Sequence, residues 1–172
     1  MAIERLDAAR AVELIEELAA LLCDAVESGA SVGFLPPLSR EESLVYWRGV
    51  IDEVGAGSCV LLADHEGGNV RGSVQLALAG KPNARHRAEL QKLLVQRSAR
   101  RQGRGMALIA AAEDEGRRAG RTLIVLDTRE GDQAERLYQR AGYREGGRIP
   151  GYALNADGSA SGTVLYYRFL QD

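Results

Sequence analysis

The chain has little cysteine, proline or histidine, and few aromatics: 2 Cys, 4 Pro, 2 His and 5% Phe, Trp and Tyr among 172 residues. Cys23 and Cys59 stand far apart in unlike contexts, which excludes a disulfide scaffold. They read as reduced, buried thiols and point to the cytoplasm. The two histidines and two cysteines are scattered without ligand spacing, so no metal site is expected; His65 and His86 fall in polar, turn-like segments and are expected to be solvated. No apolar run approaches the ~20 residues that span a membrane. The opening "MAIERLDAAR" lacks the basic-then-apolar layout of a signal peptide. A net charge of -2 excludes a general nucleic-acid coat, so any basic site must be local. There is no internal repeat, low-complexity tract or linker.

What is present is ordinary globular composition, 45% hydrophobic and 27% charged, at a length suited to one domain, residues 1–172, with a substantial core. Asp7 caps a first helix in which Val12, Ile15, Ala19, Leu22 and Val26 form a core-facing stripe, stopped at Gly29. Ser39 and Glu42 form a capping box for a second helix ending near Gly55. "CVLLADHEGGNVRGSVQLALAG" reads as a hairpin turning at Glu66–Asn69. Ala88–Val95 is a further strand, with Glu89, Gln91, Leu93 and Val95 on one face. After a loop and a helix to about Arg118, the apolar Thr122–Asp127 reads as a strand covered on both faces. A right-handed crossover lays it parallel to Ala88–Val95. A short helix closed by Gly142 and a final hairpin around "NADGSASG" complete an α/β (α+β) domain: a mixed, mostly antiparallel sheet of about six to seven strands, with about four helices.

The stretch "VQRSARRQGRGMALIAAAE", Val95 to Glu113, places four arginines and two glycines where a helix begins. It allows a solvated loop, a nucleic-acid contact or a cradle for phosphates. The unpaired N–H groups and dipole of a helix N-terminus attract anions, and Gly103 and Gly105 leave room for a phosphate to approach the backbone. No Gly-Lys-Ser/Thr makes it a Walker loop, and no third glycine makes it a Rossmann fingerprint. The arginines are not interleaved with aromatics, which counts against nucleic acid.

"LLVQRSARRQGRGMAL" resembles the acetyl-coenzyme A loop of the GNAT N-acetyltransferases, whose pattern is Arg/Gln-x-x-Gly-x-Gly/Ala. Arg100, Gly103 and Gly105 occupy its places. "AERLYQRAGY" is similar to the family's Ala-x-x-Leu-Tyr-x-x-x-Gly-Phe/Tyr segment through Ala134, Leu137, Tyr138, Gly142 and Tyr143. The resemblance covers roughly Leu61 to Leu170. "HRAELQKLLV", "LDT" and "IPGYALNADG" further resemble the tabtoxin-resistance acetyltransferase group. The resemblance implies a GNAT-like fold with two splayed central strands and acetyl-CoA as co-substrate. Its pantetheine arm would bond to the main chain of Leu93, Leu94 and Val95. Its pyrophosphate would take N–H groups from Arg101, Gln102, Gly103, Arg104, Gly105 and Met106, with charge from Arg97, Arg100 and Arg104. Where many members carry an arm-holding Asn, this chain has Gly131, with Asp132 beside it as a helix cap.

Acetyl transfer needs a neutral amine and a proton for the departing thiolate. Helix spacing alone favours Tyr138 as a core residue; the resemblance reverses that, since Tyr138 occupies the family position that supplies the proton. Asp127, at the strand's C-terminal end where open α/β sheets place ligands, is the first candidate base, with apolar neighbours expected to desolvate it, or else a strand terminator. Glu89 is the second. The acceptor is expected to be a small-molecule amine, amino-acid-like, used by a monomer or homodimer without nucleic acid or membrane partners. A protein N-terminus or lysine, and a non-catalytic coenzyme A sensor on the same fold, are the alternatives.

Overall fold

Two hydrophobic layers lie on opposite faces of one seven-stranded sheet, and the periodicity of each segment decides which layer it joins. The structure is a computed structural model and describes residues 1–170. Strand β1 (Ala2–Leu6) leads into helices α1 (Ala8–Glu13), α2 (Ile15–Glu27) and α3 (Arg40–Gly55), then strands β2 (Cys59–Glu66), β3 (Asn69–Leu78) and β4 (Arg87–Val95). Helix α4 (Arg104–Arg118), strand β5 (Leu123–Arg129), helix α5 (Gln133–Arg140) and strands β6 (Arg144–Leu154) and β7 (Ala160–Phe169) follow. The strands lie in the order β1-β2-β3-β4-β5-β7-β6. Among the described residues only β4 and β5 run parallel, as the crossover through α4 requires.

The predicted caps form. Asp7 accepts from the Arg10 N–H, and Ser39 and Glu42 satisfy each other's backbone at the start of α3. Leu18, Leu22 and Val26 of α2 pack with Trp47 of α3 against Leu61 and Ala63 of β2, forming the first layer. Leu108, Ile109 and Ala112 of α4 pack with Ile124 and Leu126 of β5 in the second.

Four expectations are corrected. The N-terminal residues add a strand, β1, which pairs with β2 from Ala2–His65 to Leu6–Leu61. The single first helix breaks at Leu14 (φ -99°, ψ 5°) into two, so the described residues form five α-helices and Val12 turns outward at 57% exposure. Thr122–Asp127 is covered on one face only: Ile124 and Leu126 are buried while Leu123 and Val125 are half-buried, because α2 and α3 lie over β2–β4 and stop short of β5. His65 is half-buried beside Glu4, Nε2 to carboxylate 3.1 Å, whereas His86 is exposed as expected. Cys23 and Cys59 are free, with Cys59 buried. Among the described residues no helix is long and apolar enough to cross a membrane.

Candidate active site

The site begins with a mismatch between strands. β4 and β5 pair only at Arg87–Leu123, Ala88–Ile124 and Glu89–Val125; past that point they diverge and leave a wedge between them. The cause lies on the other edge of β4. Gln75 of β3 faces Gln91, but Ser73 faces Leu94, so three steps of β4 span two of β3. Lys92 takes up the surplus at φ 46°, and such a bulge bends and twists the strand that carries it.

The bulge also reverses the strand's alternation. Ala88 and Leu90 belong to the second layer, but beyond Lys92 it is Leu94 that enters the first layer while Leu93 and Val95 pack toward the second. The expected common face of Glu89, Gln91, Leu93 and Val95 is therefore split: a strict two-residue period cannot survive an inserted residue.

The wedge opens into a cleft of about 1630 Å³ that Leu93, Leu94, Val95, Tyr138, Asp127 and Glu89 all line. One end is basic. Gly103 forms the N-cap of α4 at φ 80°, in the left-handed region, with open space where a side chain would project. Gly105 is glycine for a different reason: a Cβ there would lie 3.0 Å from Leu137 Cδ2, so its absence lets α4 pack on α5. Arg101 and Gln102 are exposed, and Met106 is half-buried against the second layer.

The four loop arginines do not act alike. Arg97 pairs with Asp24 at 2.7 Å and also reaches Glu27. Arg104 turns inward, 3% exposed, onto the fully buried Asp64 at 2.6 Å and onto Glu66. Their charges are compensated within the protein, so the expectation that both offer charge to phosphates is corrected. Arg100 binds neutral oxygens, the Val95 carbonyl at 3.0 Å and Ser28 Oγ at 2.7 Å, and keeps its charge. Arg101, at φ 62°, makes no hydrogen bond or ion pair with the described residues. Two further arginines that sequence reasoning passed over, Arg136 and Arg140 of α5, line the same cleft.

The other end is acidic and half-aromatic. Tyr138 is 6% exposed; burial pushes its hydroxyl pKa up, and Asp127 and Asp132 push it further, so it holds its proton. Its ring meets those of Tyr143 and Tyr166 at 5.9 Å and 6.3 Å. Asp127 is exposed, with Thr163 Oγ1 2.9 Å from its Oδ2. The burial expected of it is absent, because its buried neighbours Ile124 and Leu126 point to the opposite face while Leu123 and Val125, on its own face, are only half-buried. Glu89, also exposed, accepts from Gln91 Nε2 at 2.8 Å. Asp132 caps α5 through the Ala134 N–H at 3.3 Å and pairs with Arg129 at 3.2 Å. The Gly131 N–H is taken by Glu135.

Sequence reasoning missed Lys92. Its ammonium sits between the acidic end and the segment linking α2 to α3. The available signal was a lone cation inside the apolar run "LQKLLV".

Comparison with known proteins agrees with this geometry. The family described as Acetyltransferase (GNAT) family matches residues 15–143. An uncharacterized N-acetyltransferase encoded in the hisH-hisA intergenic region of Azospirillum brasilense is 32% identical over 130 residues, covering 74% of this chain and 75% of that protein. Among solved structures, an N-acetyltransferase from Staphylococcus aureus Mu50 superposes with a TM-score of 0.82 at 17% identity, covering 99% of this chain and 98% of the other. yncA from Salmonella typhimurium, solved with its cofactor acetyl-CoA, gives 0.80 at 18% identity over 100% and 95%.

Proposed function

Because the chain belongs to the GNAT acetyltransferase family and is an N-acetyltransferase, we propose that the cleft between β4 and β5 transfers an acetyl group from acetyl-CoA to the amine of a small, amino-acid-like molecule. The observation that carries this reading is the polarity of the cleft. Its basic end, Arg100, Arg101 and the N-terminus of α4, suits phosphates. Its acidic end, Asp127 and Glu89, suits a protonated amine. The likeness of "HRAELQKLLV", "LDT" and "IPGYALNADG" to the tabtoxin-resistance group supports an amino-acid-like acceptor, and the two free thiols suit a reducing compartment such as the cytoplasm.

The residues fit acetyl-CoA as co-substrate. Gly103 leaves its backbone open to a pyrophosphate, Arg100 and Arg101 would supply charge, and the β5-facing edge of β4 at Leu93, Leu94 and Val95, where Arg100 holds the Val95 carbonyl, would receive the pantetheine arm. The thioester supplies the activated acetyl group. Asp127 holds the acceptor's ammonium at the mouth of the wedge and takes its proton through water, with Glu89 as the second candidate. Tyr138, kept protonated by burial, donates to the departing thiolate. One domain, residues 1–172, carries the whole site.

Acetyl-CoA at ~100 times its dissociation constant adds about 2.7 kcal/mol by linkage, a melting shift of roughly 5–10 °C for a domain of this size. Thiol release on adding small amines should accompany it. Gly103→Glu places an anion in the phosphate cradle and should abolish the shift, measured from the variant's own melting point, since a side chain at φ 80° is strained. No shift of the wild type in millimolar acetyl-CoA would end this reading.

A further inference from the structure

Lys92 adopts φ 46°, a left-handed conformation that costs a non-glycine residue roughly 1 kcal/mol and that clusters at functional sites. The turn carries its side chain out of the strand's alternation and toward the segment between α2 and α3. Its Nζ lies 5.5 Å from the centre of the Tyr46 ring and 6.0 Å from that of Phe34, and 3.5 Å from the position of a Cβ at Gly33. Two ring faces thus hold the end of the side chain. The ammonium itself makes no hydrogen bond and has no carboxylate within 4.0 Å among the described residues. Burial lowers its pKa, and the through-space attraction of Asp127 and then Glu89 offsets only part of that.

Lys92 lines the cleft, and its three donors, unclaimed by the protein, are available to an anionic group bound there. An acceptor that is purely cationic or apolar would leave Lys92 unpaired. We infer that Lys92 selects the acceptor by pairing with a carboxylate on it, while Asp127 and Glu89 take its ammonium. The site then carries the charges of a zwitterion in complement. The inference rests on the acetyl-transfer reading of the cleft, and it makes Lys92 a specificity residue on the acceptor side.

The test uses the full chain, with acetyl transfer followed by thiol release for a panel of α-amino acids and their α-carboxamides. Wild type should favour the acid over the matching amide. In Lys92→Met the ratio of kcat/KM for acid over amide should fall by roughly 10- to 100-fold, the range of one charge-assisted hydrogen bond, and Lys92→Arg should restore most of it. An unchanged ratio in Lys92→Met overturns the inference. So does an equal loss on acid and amide, which would assign Lys92 to the thioester or to proton transfer.

If neither acids nor amides are acetylated, the reading of the acceptor as amino-acid-like fails. The inference is then decided by calorimetric titration with N-acetyl amino acids against their amides. Tighter binding of the acid by wild type, lost in Lys92→Met, supports it, and equal binding overturns it.

Discussion

Removing Arg104 should destabilise the protein in a way that depends on pH. Its guanidinium is 3% exposed and meets Asp64, which is fully buried, at 2.6 Å. Asp64 Oδ1 has no hydrogen-bond partner, so Arg104 is what compensates this carboxylate. Arg104→Met keeps the stem's apolar bulk and strands the carboxylate in the core. Stranding one member of a buried pair costs about 3–5 kcal/mol. The chain can escape part of this by taking up a proton, at ~1.4 kcal/mol for each pH unit above the ordinary aspartate value of ~3.9, which caps the loss near 4 kcal/mol at pH 7. At ~2–4 °C per kcal/mol that is a melting point lower by roughly 8–16 °C. The sign follows from linkage. In the variant the folded state binds a proton that the unfolded state does not, so its stability relative to wild type rises as pH falls. Urea unfolding of both forms at pH 7 and pH 5 should show the deficit shrinking by ~2–3 kcal/mol between them. A deficit below ~1 kcal/mol, or one that does not change with pH, would refute the role given to the pair.

Three further outcomes concern the chemistry. Tyr138→Phe keeps the ring contacts with Tyr143 and Tyr166 and deletes the hydroxyl; kcat should drop about a hundredfold or more with acetyl-CoA affinity unchanged, and full turnover would retire the residue as proton donor. Because burial raises the pKa of that hydroxyl, wild-type kcat should show no loss from its ionisation as pH climbs to about 10, its ordinary value. Asp127→Asn should lower kcat/KM strongly at pH 7 and progressively less as rising pH deprotonates the free amine. A uniform loss at every pH would leave Asp127 a positioning role and pass the base to Glu89 or water.

Most of the architecture could be read from local pattern because each element carries its own signal. Asp7, Ser39 and Glu42 cap where helices begin, and Gly67 and Gly68, both at positive φ, turn the β2–β3 hairpin. What escaped depends on neighbours far along the chain. β1 has five residues and a mixed pattern, and only the free edge of β2 makes it a strand. The break at Leu14 is set by how α1 and α2 each reach α3. No periodicity within residues 8–27 announces it.

The same division runs through the site. The basic end is built from consecutive residues, so the order Arg100, Gly103, Gly105 is already a geometry: a left-handed cap and a close helix contact. Even there, the fate of each arginine depended on acidic partners distant in sequence. Asp24 takes Arg97, and Asp64 takes Arg104. The acidic end is built from residues that meet only because β4 swells at Lys92. One surplus residue turns Lys92 toward Phe34 and Tyr46, reverses the faces of Leu93 and Leu94, and parts β4 from β5 beyond Glu89. A bulge leaves no mark in a two-residue period other than a charge in an apolar run, and a lysine in that place reads as an edge residue until its neighbours are known. The residues proposed to hold the coenzyme are therefore local and legible, whereas the proposed acceptor selection falls to a residue whose direction is decided by strand register.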